Sequence, residues 1–430
     1  MAVPEDPVRY TDTVLVDDEQ RLHRGDVLLH PDGRWSTSKG DEDVVETVDG
    51  RDRLITRSLQ NWHTHLAMQL NARDFSDGYP LHRWLEEAIF PTEARLNPMY
   101  VETGARAAAA ELLRTGCTFA ADMYFHPEVT GSVLQEAGMR GLVGGPISDR
   151  ALPSHDSAED ALRDLELLLA NNDANGSIQY AIAAHSVYLC SDETLLKAKD
   201  VAERHGARIH IHVSETRKEI ADCHERTGRY PVEHLDHLGV LNEGTVLAHA
   251  SWVKKREIRM MAEAGATAVH CPSSNMKLAC GGTLSMPPYL EAGVDVRLGT
   301  DGAASSGSGL NLLAEARLAS LVQRHDHWDA TMMTASQAFA MATRDSQDWV
   351  AWNLDDIRMH PRGRSDNRHL ANLVFNGTDC LDVWAQGRAL RRNGVTLSID
   401  ERAAASALND AVESYYCLLY TSPSPRDSSE

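Results

Sequence analysis

The sequence predicts an α/β fold, and three observations favour a (β/α)8 barrel within that class. Between about residues 58 and 345, short apolar runs alternate with longer segments of helical periodicity, which is the pattern of βα units around a parallel sheet. Eight of these apolar runs are strand-like. Several are followed directly by histidine or acidic residues, and the carboxyl ends of barrel strands carry the active site. A doubly wound sheet shows the same alternation and stays open as an alternative.

Strand-like runs also occur near both ends of the chain. Before the central region, three short runs are separated by turn signals: 13–16, 25–29 and 43–48. The central region contains the eight predicted barrel strands: 55–59, 119–124, 141–145, 178–185, 208–213, 244–250, 267–271 and 295–300. Helical spacing is clearest at 101–115 and 310–322. Further strand-like runs at 373–375 and 382–385 precede a helical segment at 401–416.

The composition indicates a large globular chain of acidic character. Its 430 residues are 42% hydrophobic and carry a formal net charge of −21. This charge argues against a nucleic-acid partner, because a phosphate backbone needs a basic surface. No apolar run reaches the roughly 18 residues that span a membrane, and the first residues have neither a basic start nor an apolar core. We therefore expect no membrane partner and a cytoplasmic location.

The numbers and positions of cysteine and lysine bear on two further questions, the presence of disulfides or zinc fingers and adaptation to salt. The seven cysteines are scattered and contain no Cys-x-x-Cys, so neither a disulfide framework nor a zinc finger is predicted. Only seven of the 42 basic residues are lysines. An acidic, lysine-poor surface is typical of proteins from salt-adapted hosts, and also of ordinary acidic cytosolic enzymes. A salt titration distinguishes them, because undiminished activity without salt would exclude the halophilic case.

The most informative segment is Asn61-Trp62-His63-Thr64-His65, which follows an apolar run. Residues i and i+2 of a strand lie on the same face, so the two imidazoles can converge on one point. Imidazole nitrogen suits zinc or ferrous iron. In a chain with 20 histidines, the pair alone is equally compatible with a surface or packing role.

Residues with metal-binding or acid–base chemistry lie at or just after the ends of four more of the predicted strands. They are His185 on the fourth strand, His212 and Glu215 on the fifth, His249 on the sixth and Asp301 on the eighth. Any one of these residues is more often structural than functional. Five strands ending in this way are hard to attribute to packing, so we predict one shared site.

Three nitrogens and one carboxylate oxygen form the predicted metal site, on His63, His65, His212 and Asp301. This set leaves an open position for water, as in catalytic zinc sites, where the pKa of the water falls from about 15.7 towards about 7. Glu215 can take the proton of that water and deliver it to a substrate. His249 can hydrogen-bond the attacking hydroxide. His210 points the same way as His212 or is offset by a strand bend, and a packed residue below the metal is the favoured interpretation.

These residues resemble the amidohydrolase superfamily, and more narrowly its 5'-methylthioadenosine/S-adenosylhomocysteine deaminase group with the related triazine hydrolases. The matching segments follow the family's order between about residues 55 and 325. They are NWHTH at 61–65, WLEEAIFPTE at 84–93, ADMYF at 121–125, HSVYLCS at 185–191, HVSET at 212–216, AH at 248–249, PSSNMKL at 272–278 and GTDGAAS at 299–305.

The resemblance implies a TIM-type barrel of the metal-dependent hydrolases at 58–349, with a small β-sandwich domain built from residues 1–57 and 350–400. It implies one divalent metal, zinc or iron, on the four candidate ligands, with Glu215 as proton shuttle. His249 would lie beside the water, and Asp301 would also orient it. No lysine ends the fourth strand, so a two-metal site on a carboxylated lysine is not expected. Homo-oligomers are common in the family and are an expectation here. The segment 417–430 matches none of this and resembles translated adapter read-through or a disordered tail.

The same resemblance provides candidates for substrate binding. In the deaminases, the glutamate matching Glu93 holds the ribose hydroxyls, and the histidine matching His185 contacts the substrate. Trp84 and Asn275, in two of the matching segments, are further candidates. An arginine that is frequent after the third strand in the group is absent here, and Arg150 is the nearby replacement.

Three functions are compatible with these residues, and the first is favoured. It is metal-dependent hydrolytic deamination of an adenosine-type nucleoside: 5'-methylthioadenosine, S-adenosylhomocysteine or adenosine. The second is a guanine, pterin or triazine aminohydrolase or chlorohydrolase on the same barrel. The third is a barrel that has lost catalysis and acts as a scaffold, and the presence of all four ligands and Glu215 argues against it. Glu93 favours the ribose-bearing substrate of the first.

Overall fold

Two β-sheets organise the computed structural model, which describes residues 6–71, 76–173, 176–307, 309–362 and 366–421. One sheet has nine strands and takes them from both ends of the chain. The other has eight strands and comes from the middle of the chain.

The nine-stranded sheet begins with five strands near the N-terminus. They are β1 (Val8–Val16), β2 (Leu22–Leu29), β3 (Trp35–Thr37), β4 (Glu46–Asp49) and β5 (Arg53–Arg57). Strand β1 pairs antiparallel with β2 and parallel with β4 and β5. Strands β1 and β2 confirm the predicted runs 13–16 and 25–29, while of the predicted run 43–48 only residues 46–48 lie in β4.

The eight-stranded sheet is wholly parallel and its strands lie in chain order. They are β6 (Leu59–Thr64), β7 (Cys117–Met123), β8 (Arg140–Ile147), β9 (Ile178–Ser186), β10 (Arg208–Val213), β11 (Thr245–His249), β12 (Thr267–His270) and β13 (Asp295–Leu298). The two edges meet just past β13, where Asp301 N donates to the carbonyl of His63 (2.9 Å). A Cβ at Gly299 would lie 2.8 Å from Cβ of His63, so glycine allows the edges to come this close. The sheet is a nearly closed (β/α)8 barrel, which excludes the doubly wound alternative.

The apolar core lies on both sides of the barrel wall. Ala120 and Ile182 belong to the large buried cluster that the strands share with the helices. Their neighbours Ala121 and Ala181 belong to a separate buried cluster. Because successive residues of a strand point to opposite faces, the second cluster fills the barrel interior.

Four C-terminal strands complete the nine-stranded sheet. They are β14 (Trp349–Asn353), β15 (Cys380–Ala385), β16 (Arg388–Arg392) and β17 (Val395–Thr396). Strand β14 pairs antiparallel with β5 and so joins the two ends of the chain. The buried carboxylate of Asp382 strengthens this junction, because it accepts hydrogen bonds from Tyr10 Oη (3.0 Å) and Arg53 Nε (2.9 Å). The sheet built from both termini is therefore confirmed.

Sixteen α-helices are formed by the described residues. They are α1 (Leu81–Trp84), α2 (Phe90–Glu93), α3 (Pro98–Arg114), α4 (Pro127–Ala137), α5 (Ala158–Ala170), α6 (Asp192–His205), α7 (Arg217–Thr227), α8 (Pro231–His237), α9 (Lys255–Ala264), α10 (Pro272–Lys277), α11 (Met286–Ala292), α12 (Ala303–Ser306), α13 (Leu312–His327), α14 (Ala335–Thr343), α15 (Asp366–Asn376) and α16 (Glu401–Thr421). Two 3₁₀ turns (Leu66–Leu70 and Ile357–Met359) and a π-helical turn (Leu85–Ile89) also occur. Within the described ranges, no helix combines the length and apolar content needed to cross a bilayer.

Helix α3 holds the 3₁₀ turn that follows His65. A Cβ at Gly104 would lie 2.6 Å from the carbonyl oxygen of Ala67, so glycine is needed for the helix to approach the turn. The turn is also fixed from the barrel, because Leu66 N donates to the buried carboxylate of Asp122 (2.7 Å). The segment after β6 is therefore rigidly placed on both sides.

Two predicted strands are wrong, and each error has a physical cause. The run 55–59 is divided, since β5 ends at Arg57 and β6 begins at Leu59, so most of the run lies in the nine-stranded sheet. The predicted run 373–375 lies in helix α15. There Leu370, Leu373 and Val374 are buried at the i, i+3, i+4 spacing of one helix face. The other seven central strands are confirmed.

The C-terminal helix α16 is longer than predicted and reaches the barrel. It runs to Thr421 instead of ending at 416. Tyr415 Oη donates to the carbonyl of Thr92 at the end of α2, and Tyr416 Oη donates to Oδ1 of Asn71 (3.2 Å). Residues 422–430 of the predicted tail lie outside the described residues.

Candidate active site

The four predicted metal ligands converge at the carboxyl end of the barrel. Nε2 of His65 is 3.1 Å from Oδ1 of Asp301, and Nε2 of His63 is 3.7 Å from the same oxygen. Nε2 of His212 lies 3.4 Å from Nε2 of His65. The exposed fractions of these four residues are 8% or less. We call these four side chains the donor cluster.

Backbone carbonyls fix the tautomers of two of the histidines. Nδ1 of His65 donates to the carbonyl of Met123 (2.6 Å), and Nδ1 of His212 donates to the carbonyl of His185 (2.7 Å). Because a carbonyl oxygen only accepts, each Nδ1 carries the proton and each Nε2 offers a lone pair to the cluster. This outer hydrogen bonding is typical of metal-binding histidines.

The third histidine is held by another imidazole. Nδ1 of His63 lies 3.0 Å from Nε2 of His210, which is fully buried. Nε2 of His63 has no hydrogen-bond partner among the described residues. The contact is satisfied when His63 Nδ1 donates to His210, which leaves Nε2 of His63 free to bind a cation. The interpretation of His210 as a packed residue is confirmed, and it adds a hydrogen bond to His63. The ligand atoms of His63, His65 and His212 lie within 4.8 Å of one another, and so do those of His63, His249 and Asp301. Because Asp301 also lies 3.1 Å from His65, three imidazoles and a carboxylate are available to hold one divalent metal ion.

Asp301 makes the donor cluster a site for positive charge. Its Oδ1 accepts from Gly302 N (2.7 Å), and its Oδ2 accepts from Ser274 Oγ (2.6 Å). Burial alone would raise the pKa of Asp301, but its hydrogen bond with His65 and the nearby imidazoles bring that pKa well below its usual range. Burial likewise opposes protonation of His65, yet Asp301 raises the pKa of His65 to about 9. A proton or a metal ion can therefore supply the positive charge that Asp301 stabilises.

The backbone that carries the site is strained at three places. The φ angles of Ser214, His249 and Asp301 are +53°, +70° and +61°. A left-handed conformation is uncommon for residues other than glycine, and such strained conformations cost roughly 1–3 kcal/mol each. Strain of this kind occurs where the surrounding structure must place a side chain accurately.

Glu215 and His249 lie beside the donor cluster and face each other. Nε2 of His249 is 3.8 Å from Oε1 of Glu215 and 4.0 Å from Oδ2 of Asp301. Asn275 Nδ2 donates to Nδ1 of His249 (3.2 Å), so the proton of His249 is on Nε2 and faces both carboxylates. Burial, with Asp301 nearby, raises the pKa of Glu215 well above its usual range. A buried carboxyl group of this kind can both accept and donate a proton in catalysis.

A cavity of about 340 Å³ opens over the donor cluster. Much of its wall is apolar, with Met68, Leu81, Phe90, Phe125, Ile147, Leu152 and Leu278 among the lining residues. Its polar lining includes His65, His212, Glu215, His249, Asp301, Glu93, His185 and Arg150. An apolar pocket with a few converging polar groups is typical of small-molecule sites.

Glu93 lines the cavity together with the acidic residues Glu215 and Asp301. It is 7% exposed, and its Oε1 accepts a hydrogen bond from Tyr124 Oη (2.8 Å). Burial raises the pKa of Glu93 to about 7. The Arg150 guanidinium stacks 4.0 Å above the ring of Phe90 in the same cavity. The cavity therefore offers a hydrogen-bond acceptor and a cation to a bound molecule.

Of the other three predicted substrate contacts, two line the cavity and one does not. Trp84 and His185 line the cavity, and burial lowers the pKa of His185 to about 3, so its ring is neutral. Asn275 is not among the residues that line the cavity. It lies behind His249, and its Oδ1 accepts from Ser251 Oγ (3.2 Å). Asn275 is thus placed to orient His249, and its contact with substrate stays a prediction.

Several residues that support the site were missed. Tyr124 holds Glu93, and its signal was its place in the matched segment at 121–125. Sγ of Cys280 lies 3.4 Å from Oε1 of Glu215, and burial raises the pKa of the thiol, so Cys280 donates. Nothing in the sequence pattern pointed to Cys280. It is brought to Glu215 by a loop 65 residues away along the chain.

Comparison with known proteins agrees with this geometry. Residues 54–350 match the model of the amidohydrolase family. A 5'-deoxyadenosine deaminase of Methanothermobacter thermautotrophicus is 39% identical over 403 residues, covering 89% of this chain and 92% of the relative. A 5-methylthioadenosine/S-adenosylhomocysteine deaminase of Thermococcus kodakarensis is 35% identical over 384 residues, covering 85% and 89%.

Solved structures share the fold over most of the chain. A zinc-bound adenosine deaminase from Xanthomonas campestris superposes with a TM-score of 0.89 at 25% identity, covering 96% of this chain and 100% of that one. A triazine hydrolase from Arthrobacter aurescens superposes with a TM-score of 0.84 at 21% identity, covering 95% and 100%. The resemblance drawn from the site motifs is confirmed, and the chain belongs to the amidohydrolase family.

Proposed function

We propose that this protein is a metal-dependent hydrolytic deaminase of adenosine-type nucleosides. Candidate substrates are 5'-deoxyadenosine, 5'-methylthioadenosine, S-adenosylhomocysteine and adenosine, each giving the inosine analogue and ammonia. The observation that carries this proposal is that one cavity is lined by His65, His212 and Asp301 of the donor cluster, by Glu215 and by the buried acid Glu93. The names of the archaeal relatives, deaminases of adenosine compounds at 39% and 35% identity, support it.

We assign the metal to the donor cluster and propose zinc, because the set of three imidazoles and one carboxylate suits it and the Xanthomonas campestris deaminase has bound zinc. When bound, zinc would acidify a water molecule enough for it to react at neutral pH. Nε2 of His63, which has no hydrogen-bond partner among the described residues, is one of the proposed ligand atoms.

The reaction consumes one water and replaces the 6-amino group of the purine by oxygen. Glu215 takes a proton from the water and gives it to ring nitrogen N1, which makes the neighbouring carbon accept the water oxygen. Nε2 of His249 lies 3.8 Å from Oε1 of Glu215 and 4.0 Å from Oδ2 of Asp301. The N–H of His249 and the carboxylate of Asp301 can therefore orient the water. A second proton passes to the amine, which leaves as ammonia.

The cavity walls supply binding. The carboxylate of Glu93 accepts hydrogen bonds from ribose hydroxyls, and Tyr124 holds it in place. Apolar side chains such as Phe90 and Leu152 suit a purine ring and an uncharged 5' group.

A substrate panel tests the proposal directly. Zinc-loaded protein is incubated with the four candidate nucleosides, with guanine and with chlorinated and aminated triazines, and ammonia release is measured. We expect turnover of at least one adenosine-type nucleoside at a kcat/KM well above that of guanine or any triazine. Preference for guanine or a triazine would transfer the proposal to that class, and no ammonia from any compound would refute it.

Replacing Glu93 by glutamine tests the ribose contact. At a pH above the pKa of Glu93, which is about 7, the side chain is ionised. We then expect KM for adenosine to rise roughly 10- to 100-fold, since a hydrogen bond to a charged group contributes about 1.5–3 kcal/mol. The substitution should weaken only the contact with the ribose hydroxyls, which 2',3'-dideoxyadenosine lacks. The preference of the wild type for adenosine over 2',3'-dideoxyadenosine should therefore largely disappear in Glu93→Gln. The matched control is Glu86→Gln, an exposed glutamate seven residues away. An unchanged preference in Glu93→Gln would show that the ribose lies elsewhere.

A further inference from the structure

A second buried glutamate lies directly behind the proposed proton shuttle. Glu219 is 2% exposed and does not line the cavity. Its Oε1 accepts from the backbone N–H of Ser214 (2.7 Å), and its Oε2 accepts from the backbone N–H of Glu215 (2.8 Å). One carboxylate therefore holds two successive peptide groups, one of which belongs to Glu215 itself.

This contact differs from ordinary helix capping. Glu219 is the third residue of α7, and the N-cap side chain of Thr216 accepts from its backbone N–H (3.2 Å). In a capping box the glutamate at this position bonds the N–H of the cap residue. Glu257 does so at the start of α9, where it accepts from Lys254 N (3.0 Å). Besides a backbone hydrogen bond from its cap residue Thr216, Glu219 accepts from the two residues before the cap, Ser214 and Glu215.

The turn held by Glu219 has an uncommon backbone conformation at Ser214 and is hydrogen-bonded to a second loop. Ser214 has a φ of +53°, so this turn is uncommon for a residue other than glycine and needs external support. The carbonyl of Ser214 also accepts from Ser251 N (3.1 Å) and Trp252 N (2.8 Å). These residues follow His249 in the chain, so the turn that presents Glu215 is tied to the loop that presents His249.

The consequence is a fixed direction for the Glu215 side chain. Its Oε1 lies 3.8 Å from Nε2 of His249 and 3.4 Å from Sγ of Cys280. Rotation of the strained turn by a small angle would move this carboxyl group by an ångström or more. A misplacement of about 1 Å can cost about 100-fold in rate.

We infer that Glu219 is a positioning residue that holds Glu215 in the orientation needed for proton transfer. The inference rests on the proposed function, because the proton transfer by Glu215 belongs to the proposed reaction. Among the described residues, Glu219 has no hydrogen bond to the donor cluster, and it does not line the cavity. Its effect should therefore appear in the chemical step and not in metal or substrate binding.

The test compares Glu219→Gln with Glu257→Gln. Glutamine keeps the size of the side chain but replaces one acceptor oxygen by an amide that cannot accept from a peptide N–H. Glu257 is the matched control, since it is fully buried, is also third in its helix and accepts from the backbone N–H of both Lys254 and Val232 (3.2 Å). If Glu219 had a purely structural role, both variants would have a lower melting temperature, and kcat would change by the same factor in both.

We expect Glu219→Gln to lower kcat roughly 10- to 100-fold, with KM and zinc content within about twofold of wild type, while Glu257→Gln keeps its kcat. Amide hydrogen exchange should accelerate in a peptide covering residues 213–217 only in Glu219→Gln. Equal kcat in the two variants, or a loss of kcat explained by lost zinc, would overturn the inference.

If Glu219→Gln does not fold, Glu219→Asp takes its place, because it keeps both acceptor oxygens on a shorter side chain, and the same contrast with the control is expected. Failure of the proposed function is a different result from failure of this inference: the wild type would release no ammonia from any nucleoside. In that case the exchange measurement still decides the inference: unchanged exchange in Glu219→Gln refutes it, and faster exchange confined to 213–217 supports it.

Discussion

Replacing Glu215 by glutamine should reduce kcat roughly 10²- to 10⁴-fold while leaving the metal in place. Glutamine has the same shape but can neither take a proton from water nor deliver one to a purine nitrogen. The donor cluster does not include Glu215, so zinc content measured by elemental analysis should stay near that of wild type. Substrate affinity should also be retained, because the change removes a proton carrier and keeps the volume of the side chain.

The control for this variant is Glu225→Gln on the exposed side of α7, which should behave as wild type. Zinc content and kcat are measured on the same preparations, so that a loss of metal is not mistaken for a loss of proton transfer. A Glu215→Gln enzyme with at least a tenth of the wild-type kcat would remove Glu215 from the proposed mechanism.

The barrel and its catalytic end could be predicted because both depend on short-range patterns. Parallel strands buried on both faces give continuous apolar runs, and the residue after such a run lies at the carboxyl end of the barrel. This pattern places His63, His65, His212, His249 and Asp301 at one end of the barrel. The structure brings these five side chains within a few ångströms of each other.

The strand prediction is inaccurate where two strands follow each other almost directly and where a short apolar run fits both a strand and a helix. At residues 55–59 strand β5 of the nine-stranded sheet and the first strand of the barrel are separated only by Ser58, so the two read as one run. At 373–375 three consecutive apolar residues suggested a strand. The buried Leu370, with Leu373 and Val374, shows that the helical spacing was present over a longer window.

The supporting residues of the site were harder to predict because they reach it from distant loops. Cys280 is 65 residues from Glu215, and Ser274 is 27 residues from Asp301, with no spacing rule linking the members of either pair. Glu219 did have a local signal, since Thr216-x-x-Glu219 fits the capping-box pattern. That pattern predicts a helix start and does not predict which peptide groups the carboxylate will hold.

Replacing His212 by asparagine should remove both the metal and turnover. Nδ1 of His212 is fixed by the carbonyl of His185, so Nε2 is held in the donor cluster, and asparagine is too short to replace it. With one of three nitrogen donors lost, we expect zinc content after dialysis to fall from about one per chain to near zero, and kcat to fall by roughly 10³-fold or more. The matched control is His270→Asn, a fully buried histidine at the end of β12 that has no side-chain hydrogen bond among the described residues.

Thermal unfolding separates metal binding from activity in this comparison. A ligand that binds only the folded state stabilises it by about 2.7 kcal/mol when its free concentration is 100 times its Kd. EDTA should therefore lower the melting temperature of wild type and of His270→Asn but leave that of His212→Asn unchanged, and added zinc should restore the first two. Equal sensitivity of all three proteins to EDTA would show that the metal which stabilises the fold is not held by His212, and the donor cluster would then need another set of ligands.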